Sequence, residues 1–414
     1  MDDPFSKLPV EIIYEILSLS TDFVGTDSLL SVSPWVRAIF DTKPRPITLG
    51  LFSANSGIQT ASLKQLYQNI AVIRHPHAYY SSHEEYKNAR PLEGLPEHMS
   101  AAELSDLIHI AAQNQRLTGI VLATMHHNFT TAIENTSFGP PSSGHSRAQK
   151  IKSEPFSWIE HHRVSWAIWR LQHFSALQTA AKGHWNWSAE SRCTGLDGYM
   201  KRHWLSHWLS EQVWTVAAIL ADLGLNPSYR NQNMHRLKSY TNFPPAWITS
   251  ELLDAHTQEP PLPIFFYPRK NTPLPFFPSF EVPPRYSDNV YCPPPAPLPT
   301  PVNRDWGRMR HPRTYNKPTL PAMKFQDRCE RMTWLQPPNY DIWDMRPFRR
   351  LGVVIWDPWR MYLAGLSDWD VLEGIPTPDG GVVEEEGLES LEGYRQSLMG
   401  EEEIQRRWLA LIGR

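Results

Sequence analysis

Apolar positions along this chain follow the spacing of helices, and proline and glycine mark where each run stops. Residues 8 to 19, LPVEIIYEILSL, carry Ile12, Ile13, Ile16, Leu17 and Leu19 at the i, i+1, i+4, i+5, i+7 spacing of a short amphipathic helix. Pro9 suits a first helical turn, and Glu11 faces the positive end of the helix dipole. A break at Ser20 to Thr26 follows, after which Thr26 or Asp27 can cap a second short helix through Leu29, Leu30 and Val32. Pro34 ends that helix and opens a third, with Trp35, Val36, Ile39 and Phe40 along it.

Beyond a breaker at Lys43 to Pro46, two further helices are expected at 62 to 73 and 101 to 133, the second with Ser100 and Glu103 in a capping pattern. The polar tract between Thr136 and Pro155 is expected to be an exposed loop. Helices resume at 156 to 182 and at 197 to 224, the latter closed by Gly224. From Pro260 to Pro301, 15 of 42 residues are proline, which excludes regular helix and central strand. A block at 349 to 369 gives an apolar run, a DP turn and a helix, and an acidic tract from 383 leads to a terminal helix at 404 to 412. The fold expected is mainly α. Its units are 4–41, a helical domain at 58–256, a Pro/aromatic-rich irregular segment at 257–347 and a closing segment at 348–414.

Composition narrows the function more than it adds to the fold. A net charge of -3 offers no general field for nucleic acid or anionic lipid. Cys193, Cys292 and Cys329 are far apart and lack CxxC spacing, so neither a disulfide framework nor a structural zinc site is expected. The opening MDDPFSKLPVEI lacks the basic and apolar runs of a signal peptide, and no long apolar stretch occurs, so cytosol or nucleus is expected.

The residues that carry a function are the first forty. Leu8, Pro9, Glu11, Ile12, Ile13, Ile16 and Leu17 resemble the LPxE(I/L)(I/L)xxI(L/F) opening of the F-box family, and Leu29, Leu30, Val32, Ser33, Pro34 and Val36 continue the match. The version in SLLSVSPWVRAIF is similar to fungal members; Ser20 and Val36, with Trp35 one residue early, depart from the usual pattern. Three helices this short have too little core to stand alone, so one apolar face has to be covered by something else. The resemblance implies that the cover is a Skp-type adaptor and, through it, a cullin. Leu8, Pro9, Ile12, Ile13, Ile16, Leu17, Leu29, Leu30, Val32, Pro34 and Trp35 are then the adaptor-binding residues. It also implies a substrate-recruiting subunit of a ubiquitin ligase, with no catalytic residue, cofactor or metal of its own and an unidentified protein substrate.

Other constellations are weaker. His203, His207 and Glu211 share one helical face and could hold a metal, but Trp204, Leu205 and Ser206 stand where a zincin places its glutamate. No GxSxG, GxGxxG or GxxxxGK[ST] element occurs, so enzyme classes built on them gain no support. The tryptophans at 158, 166, 169, 185 and 187 fit packing stripes better than a ligand cage. RLGVVIWDPWRM, at 350 to 361, resembles the C-terminal end of fungal F-box-containing proteins. Two other functions stay open: a scaffold whose F-box-like unit acts outside a ligase, and a helical metal-binding enzyme.

Overall fold

Proline and small capping residues decide where the N-terminal helices begin. In the computed structural model, which describes residues 3–54, 60–89, 94–136, 143–192, 207–225, 346–366 and the single positions 248, 249, 252, 407, 408, 410 and 411, Asp3 caps a 3-10 turn at Pro4–Lys7. Helix α1 (Val10–Leu19) follows Pro9. The Asp22 side chain accepts the Val24 amide and starts α2 (Phe23–Val32); Ser33 accepts the Val36 amide and starts α3 (Pro34–Thr42). The expected break is therefore shorter, and Thr26 and Asp27 lie buried inside α2 rather than capping it. The expected breaker is helical too. Pro44 and Pro46 both fall in the first turn of α4 (Pro44–Ala54), where a missing N–H leaves no bond unmade.

The body comprises α5 (Ala61–Arg74), α6 (His83–Asn88), α7 (Ala101–Glu134), α8 (Ser143–Ser153), α9 (Trp158–Lys182), α10 (Ala189–Arg192) and α11 (His207–Leu220) with a π turn at Ala221–Leu225. Two short helices, α12 (Arg346–Arg349) and α13 (Pro358–Leu363), lie near the end. The described residues are mainly helical and include no strand. Capping boxes at Ser100/Glu103 and Ser157/Glu160 open the two longest helices. At 34 residues α7 runs about 50 Å, long enough to carry α2 and α4 as well as α8, α9 and α11. Within the tract expected to be a loop, α8 forms because Ala148 and Ile151 bury against this frame. Residues 197–206, 260–301 and 383–403 lie outside the described set.

Helix α9 is buried nearly all round, and Trp166 and Trp169 pack in its core. After it, Trp185 and Trp187 are also buried; their indole N–H groups donate to Ala78 and Tyr80 carbonyls at 2.8 and 2.7 Å, pinning the α5–α6 loop. Asn186 between them takes φ 47°, a left-handed conformation that asparagine tolerates. These tryptophans are core.

The segment 346–366 is bolted to the body by buried charges. Arg360 donates to both oxygens of Glu160 at 2.8 and 3.0 Å, and the Asp357 and Ser157 amides donate to the same carboxylate at 3.1 and 3.0 Å. Burial pushes Glu160 up, and Arg360 with these amides more than offsets it, so it stays ionised below the ordinary glutamate range. Asp357 goes the other way, to about 6, raised by burial and by Glu160. Arg163 donates to the Ile355 and Trp356 carbonyls at 2.8 and 2.9 Å. Val353 to Trp356 are buried, in consecutive turns that are neither strand nor helix. Gly352 takes φ 68°, where a Cβ would meet Met125 Sδ at 2.7 Å. Trp408 and Arg407 donate to the Leu366 and Gly365 carbonyls at 3.2 and 3.1 Å, so the C-terminal residues close on the same core, which is contiguous from Ile13 to Leu411.

Candidate functional site

Helix α1 carries two apolar stripes. Ile13 and Leu17, one turn apart, are 2% and 0% exposed and face the core with Leu30 and Val36. Ile12, Ile16 and Leu19 fall on the other side and are 44%, 45% and 71% exposed. Leu8 and Pro9 lead into that outer stripe and are exposed as well, and exposed Glu11 and Glu15 border it. Val32, Pro34 and Trp35 are exposed at the α2–α3 junction.

The inner side of this unit is used by the rest of the chain. Asp27 on α2 accepts from His109 Nδ1 on α7 at 3.0 and 3.1 Å, with Arg116 3.8 Å away. The Phe23 amide donates to Gln115, and Arg37 donates to Ser105 at 2.7 Å. Helix α4 presses on α1 so closely that a Cβ on Gly50 would stand 2.9 Å from the Ser18 carbonyl oxygen. At the open end, Asp3 accepts the Ser33 hydroxyl at 2.6 Å and the Trp35 amide at 3.1 Å, which brings residues 3–9 beside the α2–α3 junction. The unit is thus fixed in orientation on one side and bare on the other.

Of the residues expected to bind an adaptor, Leu8, Pro9, Ile12, Ile16, Val32, Pro34 and Trp35 are exposed. Leu29 is half-buried against the core, and Ile13, Leu17 and Leu30 are inside it. A partner reaching this surface meets the first group and not the last three. The expected adaptor-binding set leaves out Leu19 and Leu49, exposed to 71% and 37%, and the clasp made by Asp3. Leu19 had a signal, being apolar at helical spacing from Ile12 and Ile16.

The metal set does not assemble among the described residues. Both oxygens of Glu211 accept from Arg349 at 2.6 and 3.0 Å in a buried pair covered by Trp214, so the carboxylate is occupied; His203 lies outside the described residues. No group of three potential metal ligands occurs among the described residues, and no described helix is long and apolar enough to cross a membrane. Among the remaining histidines His162 stacks on Trp158 at 4.9 Å and His126 donates to the Ile151 carbonyl, while His127 and His184 are exposed. No family model, curated protein or solved structure matches this chain.

Proposed function

We propose that the chain is an F-box-type receptor that docks a Skp-type adaptor on the outer face of α1 and the α2–α3 junction and presents its helical body to a protein substrate. One observation carries the reading: the apolar residues of the LPxE-type motif divide into a set that builds this chain's own core and a set left at the surface. Contiguous apolar surface of this kind on a folded chain is characteristic of a protein-binding site. Fully burying a Leu or Ile side chain contributes roughly 1.5 to 3 kcal/mol, so completing the burial of these half-exposed residues supplies several kcal/mol before association costs. In such an assembly the ubiquitin-transfer chemistry belongs to other subunits, and the receptor raises the local concentration of substrate. The reaction takes place in the cytosol or nucleus.

Ile12→Asp with Ile16→Asp tests the reading. The doubly substituted chain is expected to keep its helical content and melting temperature and to stop co-eluting with the adaptor, because both residues are outside the core. Unchanged co-elution overturns the proposal. The packing of α2 on α7 supports a second reading, in which the unit is a scaffold element of the fold. Capture of neither adaptor nor cullin is the result that favours it.

A further inference from the structure

Residues 3–9 run to α1 as a strap. Asp3 Oδ2 accepts the Ser33 hydroxyl at 2.6 Å and the Trp35 amide at 3.1 Å, and its Oδ1 accepts the Phe5 amide at 2.9 Å. One carboxylate therefore caps two helical starts, the turn just after it and α3, whose Ser33 is 30 positions away. Ser33 is itself the N-cap of α3, accepting the Val36 amide at 3.0 Å, so its hydroxyl proton is free to point at Asp3. A negative charge at a helix N-terminus is favourable, and hydrogen bonds to an ionised acceptor are about twice as strong as neutral ones. Phe5 is the strap residue that packs on the core, while Leu8 and Pro9 remain exposed.

We infer that Asp3 is a positioning residue for the docking face: by tying the strap to the α2–α3 junction it fixes where Leu8 and Pro9 stand relative to Val32, Pro34 and Trp35. The inference rests on the docking reading proposed above. It makes a residue buried under no partner decide the shape that the partner meets. Loss of the clasp frees the strap to sample many positions, and ordering it again on binding opposes association.

The test uses the full chain with Asp3→Asn, Asp3→Glu, Ser33→Ala and the Asp3→Asn/Ser33→Ala pair. Each is titrated calorimetrically with purified Skp-type adaptor, and amide hydrogen exchange is followed without adaptor. Asp3→Asn is expected to raise Kd about tenfold and to speed exchange at the Phe5 and Trp35 amides alone. Asp3→Glu recovers part of the affinity. The pair binds no more weakly than the worse single variant, since both substitutions break one clasp. Equal Kd for wild type and Asp3→Asn overturns the inference and leaves the docking reading standing. A raised Kd with unchanged local exchange also overturns it, as does loss of protection across the whole chain. Wild type that binds no adaptor overturns the docking reading, and the inference with it.

Discussion

Ile12 and Ile13 are adjacent and chemically identical, yet one faces out and the other packs in the core. Substitution separates the two roles. Leu17→Asp places an unpaired charge in a fully buried site and is expected to unfold the N-terminal unit in chemical denaturation, whereas Ile16→Asp leaves stability within about 0.5 kcal/mol. The spacing of α1 could not make this division, because apolar residues cover both stripes and only the packing of α3 and α4 decides which one turns inward. A second residue gives a pH test. Burial pushes Glu103 up, but the His75 ring, the Ser100 hydroxyl and the Ser100 amide bring it to about 2 from an ordinary 4.5. A carboxylate depressed in this way supports the fold fully above pH 4.5 and loses that contribution as pH falls toward 2. Glu103→Gln is expected to flatten the dependence of denaturation midpoint on pH across that window while leaving the region above it almost flat.

At the scale of elements, the capping box of α7 was legible, whereas the Asp22 cap of α2 and the burial of α8 were not. Ser100 with Glu103 announced α7 in four letters, and the structure closes both hydrogen bonds of the box. By contrast α8 is written in Ser, Gly, Arg, Gln and Lys, and its helix depends on Ala148 and Ile151 meeting α7, a contact invisible to local pattern. Pro44 and Pro46 read as a break because proline stops a helix interior, and the same residues are well suited to its first turn. Two glycines should answer in opposite directions. At Gly352 the left-handed backbone and the nearby Met125 Sδ make alanine strained, and Gly352→Ala is expected to cost about 1 to 3 kcal/mol in urea denaturation. At Gly119, within α7, a Cβ meets nothing within 4 Å, so Gly119→Ala is expected to stabilise by about 0.5 to 1 kcal/mol.

For the whole molecule, the contacts that close the fold join residues far apart in the chain. Glu160 and Arg360 are 200 positions apart, and both are buried. No local pattern in the sequence joins the two, because they meet only once α9 and the 346–366 segment pack together. Arg360→Met leaves the Glu160 carboxylate buried without its main partner, and about 3 to 5 kcal/mol of stability is expected to be lost in equilibrium denaturation. A loss under 1 kcal/mol would contradict the account of how 346–366 is held. Because the core is contiguous from Ile13 to Leu411, the N-terminal unit cannot swing freely on the body, and an adaptor bound to its outer face would hold the body in one orientation. Calorimetric titration of the full chain with a purified Skp-type adaptor reads out that outer face. Wild type is expected to bind one-to-one, and Ile12→Asp/Ile16→Asp to abolish binding without lowering the melting temperature; no heat of binding with wild type, or equal affinity for the variant, would contradict docking on this face.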